Sequence, residues 1–397
     1  MTDSVLVVGA SLAGISVARA LRRKGFTGAI TMVGAERHAP YDRPPLSKEL
    51  LAGEWGPADI GLTLPDEDLH VDLSLGVPAV ALDPTARTVT LADSATLSAD
   101  AVVLATGAVA RPLPDMPALA GVHLLRTLDD AQALRSDLLA GHPLVVVGSG
   151  FIGSEVASTA RRLGVPVTVT EAASAPLVRV LGEQMGAAVG SLHERGGVQL
   201  LLGAAVVALT GDRRVSGVRL ADGRELPAGT VVVGIGSAPA ADWLSATGLA
   251  DPALGVRCDS LGRTPVRGVL AVGDCSAWYD ETAGTHRREE HWFSARDRAA
   301  VVADVLAGDE AGARTRSRRV LPYVWSDQHG LRIQLAGDTT AADSVELEEG
   351  SLGEASFLAV YRRAGAPVAV LGVDRVRPFV RWRKQLARDH AAALEVA

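Results

Sequence analysis

Leu144-Val145-Val146-Val147-Gly148-Ser149-Gly150-Phe151-Ile152-Gly153 sets four apolar residues against a Gly-x-Gly-x-x-Gly turn, and a helical run continues to about Leu163. Four consecutive apolar residues suit a strand buried on both faces, as in a parallel sheet. The glycines allow a sharp strand-to-helix turn and the close approach of a pyrophosphate, whose charge meets free backbone donors at the helix N-terminus. A second apolar run, Val165 to Thr170, ends at Glu171, 18 residues after Gly153. A carboxylate at that distance can accept both hydroxyls of an adenosine ribose.

The same order of features occurs near the start of the chain. Val5-Leu6-Val7-Val8 precedes Gly9-Ala10-Ser11-Leu12-Ala13-Gly14 and a helical run through Lys24. Ala29 to Val33 then leads to Glu36, 22 residues after Gly14, and the two first glycines lie 139 residues apart. Ser11 replaces the middle glycine, a small residue that weakens the match without forbidding a phosphate. Either turn alone could serve packing, and either acid could face solvent. Two complete strand, turn, helix, strand and acid patterns instead predict two dinucleotide sites, one in each of two lobes.

Glu171 also bears on the choice of nicotinamide. The following Ala172-Ala173-Ser174-Ala175-Pro176 offers no Arg or Lys to a 2′-phosphate, which Glu171 would repel. NADH is therefore expected over NADPH, with Arg179 the nearby basic residue able to alter that choice.

The 397 residues carry 39 Lys+Arg against 46 Asp+Glu, a net charge of −7 that argues against a nucleic-acid-coating protein. Cys258 and Cys275 do not form a Cys-x-x-Cys pair, which argues against dithiol chemistry and a thiolate-bound metal. His286 and His291 are five residues apart with arginines between them, a poor spacing for two ligands on one helix face, so no metal site is expected. No run of about 18 apolar residues predicts a membrane span, and the opening residues lack a basic leader. The expectation is a cytoplasmic protein.

Arg111-Pro-Leu-Pro-Asp-Met-Pro117 carries the chain out of the first lobe after Ala101-Val-Val-Leu-Ala-Thr-Gly107. Thr230-Val-Val-Val-Gly-Ile-Gly236 closes the second lobe with a parallel strand-and-glycine exit. Gly268-Val-Leu-Ala-Val-Gly273-Asp274 makes another buried strand, whose terminal carboxylate suits a cofactor hydroxyl or, more plainly, a helix cap. The expected fold is α/β: two Rossmann-like dinucleotide-binding domains plus a mixed α+β C-terminal domain, in a glutathione reductase-like arrangement. The expected limits are 1–113 with 248–320 for a discontinuous FAD-binding domain, 114–247 for the NADH-binding domain, and 321–397 for a unit covering the flavin. Residues 290–306 read as a helix stopped at Gly308, and Leu321 to Leu335, Phe357 to Tyr361 and Val368 to Val373 as β-like.

Taken together, Gly9 to Gly14, Tyr41-Asp-Arg-Pro-Pro-Leu-Ser-Lys48, Ala105-Thr-Gly107, Leu125-Arg-Thr-Leu-Asp129, Gly148 to Glu155, Val272-Gly-Asp-Cys275, Glu290-His-Trp292 and Trp325-Ser-Asp-Gln328 span nearly the whole chain. These stretches resemble the FAD-dependent pyridine nucleotide reductases, especially the NADH-dependent ferredoxin reductases of cytochrome P450 and ring-hydroxylating oxygenase systems. The resemblance implies that Glu36 holds the FAD adenosine ribose, Lys48 lies near the flavin, and Val80 makes an adenine-side contact. It places Arg126 by the FAD phosphates, Asp274 on the ribityl chain, Trp292 at the closure of the FAD site and Trp325 beside the isoalloxazine. Gly9, Ser11, Gly14, Arg43, Thr106 and Gly107 complete the implied FAD set. Gly148, Gly150, Ile152, Gly153, Glu171 and Gly236 form the implied NADH set, with Glu155 toward the nicotinamide. Taken singly, Arg43, Lys48 and Arg126 would read as surface cations, Val80 as a core valine, and either tryptophan as a packing aromatic.

The implied reaction is hydride transfer from NADH to flavin N5, with Lys48 and Glu155 as a salt bridge organising the site, followed by one-electron delivery to an iron–sulfur ferredoxin. Two basic tracts, Arg314, Arg316, Arg318, Arg319 and Arg375, Arg377, Arg381, Arg383, Lys384, Arg388, are docking candidates for an acidic partner, or simply hydrated faces. Rival readings are an NADH-dependent reductase of rubredoxin or a small molecule, and a flavoprotein whose NADH-dependent state regulates a partner.

Overall fold

The computed structural model describes residues 2–63 and 67–396. The Ser4–Val8 strand lies at the centre of a five-stranded parallel sheet. Ala29–Gly34 and then Val71–Leu75 flank it on one side, Ala101–Leu104 and then Val269–Ala271 on the other. Leu144–Val147 is the centre of a second parallel sheet, flanked by Val167–Thr170 and Gln199–Leu201 on one side and Thr230–Val233 and Val122–His123 on the other. In both central strands the apolar run is buried on both faces, as the four-residue pattern requires.

The repeat extends beyond the turns. Each lobe inserts a three-stranded antiparallel sheet before its fourth strand: Ala79–Asp83, Thr88–Leu91 and Thr96–Ser98 in the first, Val206–Gly211, Val215–Leu220 and Glu225–Pro227 in the second. The fifth strand breaks the symmetry. The first sheet takes Val269–Ala271 from beyond the second lobe, and the second takes Val122–His123 from before its own glycine turn. The two crossings run side by side where Ala108–Ala110 pairs antiparallel with Ser237–Pro239. The lobes are thus tied together at the C-terminal edges of both sheets, where α/β sheets bind ligands.

After the Trp292–Leu306 and Glu310–Ser317 helices, the chain forms a five-stranded antiparallel sheet, ordered Tyr323–Gln328, Leu331–Gly337, Ala366–Val373, Ser356–Arg363, Ser344–Ser351. Side-chain alternation sends its residues to two cores. Ile333, Phe357, Tyr361 and Leu371 pack with Leu181, Met185 and Val189 of the second lobe's Val178–Arg195 helix. Leu358, Val360 and Val370 pack with Phe379 and Leu386 of a terminal helix, Val376–Val396. That helix was not anticipated: its cationic residues hide an apolar stripe at 379, 382 and 386, one face of a 3.6-residue period. The C-terminal unit is therefore α+β, with its sheet sandwiched between helices. Among the described residues, no helix is long and apolar enough to cross a membrane.

Candidate functional site

The glycine turns show which positions the fold itself constrains. A Cβ on Gly9 would lie 2.1 Å from Ala105 O, and one on Gly14 would lie 2.1 Å from Gly9 O. The equivalent Gly148 and Gly153 would meet Gly234 O at 2.5 Å and Gly148 O at 2.2 Å. These backbone contacts cannot yield, so the first and third glycines hold strand, turn and helix together. The middle position is different: a Cβ on Gly150 would meet its nearest neighbour, Gly234 O, at 3.9 Å, ordinary contact distance. Ser11, at that position in the first lobe, has an extended backbone (φ −139°) that any residue adopts. Its departure from the glycine pattern costs the fold nothing. Gly236, with φ +108°, and Ile152, an exposed side chain at the start of the Phe151–Arg162 helix, flank the second turn.

The acid of each lobe is held by a different device. Glu36 accepts hydrogen bonds from Tyr41 Oη and from Arg43 Nη2, the latter at 2.6 Å. Arg43 Nη1 also donates to the Arg126 carbonyl. Glu171 accepts from the N–H of Ser149 at 2.9 Å, the hydroxyl of Ser149 at 2.7 Å, and the N–H of Ala173 at 2.9 Å. Burial opposes ionisation of Glu171, but these donors outweigh it and hold its carboxyl below the usual range.

Arg126, which follows the Val122–His123 strand of the second sheet, meets Asp274 at the end of a first-sheet strand, with Arg126 Nη2 2.8 Å from Asp274 Oδ2. Arg126 Nε is buried without a hydrogen-bond partner, and the Arg126 side chain lies against Gly107. A guanidinium with one buried, unpartnered N–H beside a glycine turn suits an anionic phosphate, so these residues fit a bound dinucleotide. Thr106 instead turns its hydroxyl to Ala240 O at 2.6 Å, across the crossing between the lobes. Val80 sits on the first antiparallel insert and is 47% exposed, which excludes the plain core-valine reading.

Lys48 and Glu155, from different lobes, meet in the interior. Lys48 Nζ is 2.9 Å from Glu155 Oε1, and the two residues are 8% and 2% exposed. Ser47 donates to Glu155 Oε2, and Ser326, from the C-terminal sheet, donates to Oε1 at 2.6 Å. Gln328 Nε2 donates to Ser326 Oγ at 3.0 Å from behind. Three parts of the fold thus converge on one carboxylate. Burial pushes the Glu155 carboxyl above its usual range, with the Lys48 charge and the two hydroxyls pulling against that shift.

Trp292 closes the edge of this region by donating Nε1–H to Asp42 Oδ1 at 2.7 Å. Its ring stands edge-on to Trp325, with centroids 6.1 Å apart, and Phe293 and Tyr323 join the cluster. Arg383 caps it with its guanidinium carbon 4.2 Å from the Tyr323 centroid. Sequence reasoning named Lys48, Glu155, Trp292 and Trp325 but passed over Tyr41, Asp42, Ser47, Ser326 and Gln328, although all five lie inside motif stretches already singled out. Ser149 was likewise treated only as a spacer. Among the described residues, no group of three or more His, Cys, Asp or Glu is arranged to hold a metal, and Cys258 and Cys275 are buried free thiols.

Residues 3–299 match the family described as pyridine nucleotide-disulphide oxidoreductase, and residues 323–397 match a reductase C-terminal domain. The chain belongs to the pyridine nucleotide-disulphide oxidoreductase family. It is a flavoprotein-type oxidoreductase of the branch that includes ferredoxin reductases. It is 38% identical over 385 residues to the ferredoxin reductase component of chlorobenzene dioxygenase from Cupriavidus sp. (strain PS12), covering 96% of this chain and 91% of that one. Rhodocoxin reductase of Rhodococcus erythropolis is 36% identical, with 99% and 89% of the two chains covered. The reductase fold also superposes on a crystal structure of the covalent putidaredoxin reductase–putidaredoxin complex with a TM-score of 0.90, at 32% identity and with 97% and 93% covered. The family's fold agrees with the two Rossmann-like sheets and the separate C-terminal sheet described above.

Proposed function

We propose that this protein is an FAD-dependent NADH:ferredoxin oxidoreductase supplying an oxygenase system, either a cytochrome P450 or a ring-hydroxylating enzyme. The observation carrying this reading is the buried contact between Lys48 of one dinucleotide lobe and Glu155 of the other, with Ser326 of the C-terminal unit on the same carboxylate. When bound, FAD would accept an electron pair from NADH and release electrons singly to a one-electron carrier.

The proposed FAD domain comprises residues 1–113 and 248–320, and the NADH domain residues 114–247. In the first, Gly9, Ser11 and Gly14 turn the backbone toward the pyrophosphate and Asp274 receives a ribityl hydroxyl, while Arg126 supplies charge from the neighbouring domain. Gly107 and Thr106 shape the neighbouring turn, Val80 flanks the adenine side, and Glu36, braced by Arg43, receives the adenosine ribose. In the second, Gly148, Gly150, Ile152 and Gly153 receive the NADH pyrophosphate, Glu171 the ribose, and Gly236 the chain's close approach. Lys48 and Glu155 fix the polar edge where the two cofactors meet, and Trp292 with Trp325 excludes water from it. The third proposed unit, 321–397, covers that edge and presents the carrier surface.

The partner is an acidic iron–sulfur ferredoxin held transiently by charge. Of the two basic tracts, Arg314 and Arg316 are spent on Glu310 and Asp304, at 3.0 Å and 2.8 Å. On the terminal helix, Arg377, Lys384 and Arg388 are exposed and, among the described residues, form no salt bridge. That helix face supplies the steering charge.

Anaerobic mixing of FAD-loaded protein with NADH, followed by a panel of ferredoxins, rubredoxin and dyes, tests the whole reading. Bleaching of the flavin and rapid ferredoxin-dependent reoxidation are expected. No bleaching, or reoxidation only by dyes, would rule it out.

A further inference from the structure

Comparison of the two internal copies isolates one residue. Ser149 of the second turn corresponds to Ala10 of the first, directly after the first glycine in each. Ala10 has no hydroxyl, and Glu36 is held by side chains from the 41–43 stretch. In the second copy the turn itself holds the acid. Ser149 is fully buried, and its N–H and hydroxyl both end on Glu171 Oε2, while the Ala173 N–H ends on Oε1.

A carboxylate offers about four lone-pair directions. Three are taken, and both of those on Oε2 are used by one residue. Glu171 therefore has one direction left, on Oε1, for a single ribose hydroxyl, fewer than the two acceptances its position in the fingerprint suggests. The same three donors stop the carboxylate from swinging aside. That matters because Arg179 is exposed and its charge acts on Glu171, so a displaced Glu171 would leave a cation facing a 2′-phosphate.

We propose that Ser149 is a specificity-determining positioning residue: its buried hydroxyl locks Glu171 so that the second site takes a nucleotide with a free ribose 2′-hydroxyl and rejects one bearing a 2′-phosphate. The proposal rests on the reading of Glu171 as the ribose-binding acid of the NADH site.

Calorimetric binding of NAD+ and NADP+ to the oxidised, FAD-loaded protein tests it without turnover. Ser149→Ala is expected to lower the ratio Kd(NADP+)/Kd(NAD+) about three- to tenfold, the scale of one ordinary net hydrogen bond, because the Ser149 and Ala173 N–H groups still hold the carboxylate. Glu171→Ala is expected to lower it further, and Ser149→Ala to add nothing in the Glu171→Ala background. Ser149→Thr, which keeps the hydroxyl, is expected to keep the ratio. If Ser149→Ala does not fold, Ser149→Gly carries the same expectation. A lowered ratio in Glu171→Ala with an unchanged ratio in Ser149→Ala overturns the role of Ser149 alone. An unchanged ratio in Glu171→Ala overturns the underlying reading as well. An equal effect of Ser149→Ala with and without Glu171 shows that Ser149 does not act through that carboxylate, which also overturns the proposal.

Discussion

Lys48 and Glu155 lie 107 residues apart in sequence and 2.9 Å apart in space, as a buried ion pair joining two nucleotide lobes. Taking both charges out of water is expensive, and the Ser47 and Ser326 hydroxyls offset part of that cost by donating to the carboxylate. Such an arrangement is better suited to holding geometry than to adding stability.

Removing the cation should therefore damage chemistry and folding through one cause. Lys48→Met leaves Glu155 buried without its counter-charge, which costs roughly 3–5 kcal/mol less whatever the carboxyl recovers by taking up a proton. Flavin reduction by NADH should slow about tenfold or more, as expected when a reacting pair loses its alignment. Stopped-flow single-turnover kinetics check this, and an unchanged rate would separate the pair from hydride transfer.

The turns make a prediction with opposite outcomes at neighbouring positions. Gly9→Ala forces a Cβ to 2.1 Å from Ala105 O, so the purified variant should retain little FAD. Ser11→Gly restores the fingerprint glycine, yet its position tolerates a side chain, and FAD content should stay within about twofold of wild type. Flavin absorbance per protein is the measurement. A large gain from Ser11→Gly would mean that the serine obstructs the phosphates.

The lobes were legible because their signals are local: strand, turn, helix and acid occur within about 30 residues in each copy. Lys48 and Glu155 were also within reach, each sitting in its own motif. The roles of Ser326 and Gln328 were not, since nothing local aligns a C-terminal strand with a helix 171 residues earlier in the chain. The terminal helix escaped for a different reason. Arg377, Arg381, Arg383, Lys384 and Arg388 read as a charge run, and Pro378 falls in the helix's first turn, where proline is tolerated. The stripe of Phe379, Trp382 and Leu386 was the available sign.

A pH dependence follows from a second junction between the second lobe and the C-terminal unit. His193 Nδ1 lies 3.2 Å from His329 Nε2, His193 Nε2 reaches Ser154 Oγ at 3.1 Å, and the His329 N–H donates to Ser158 Oγ at 2.7 Å. Burial, with the neighbouring His329 opposing a second positive charge, lowers the His193 pKa from 6.5 to about 4. The unfolded chain thus binds a proton between pH 6.5 and pH 4 that the folded chain does not. The stability of the neutral histidine is complete above pH 6.5 and is lost as pH falls through that window, by at most about 1.4 kcal/mol per pH unit. Urea denaturation at pH 7 and pH 5 should show wild type losing more stability than His193→Gln. Equal losses would remove His193 as the source.

The two basic tracts respond differently to charge reversal if the terminal helix receives the carrier. Arg314 and Arg316 are about half exposed and already face Glu310 and Asp304, so their positive charge is offset locally before any partner arrives. Lys384 and Arg388 are exposed and, among the described residues, have no acidic partner, whereas Arg383 is best left intact because it packs on Tyr323. Lys384→Glu with Arg388→Glu should lower the ferredoxin association rate about tenfold at low salt, with the difference shrinking as ionic strength rises. Reduction of a small neutral dye should be unaffected, because its encounter depends little on that field. Stopped-flow rates across a salt series with both acceptors decide the matter. Equal slowing of ferredoxin and dye would trace the defect to the flavin site, and a larger effect from Arg314→Glu with Arg316→Glu would move the docking face to the 310–319 stretch.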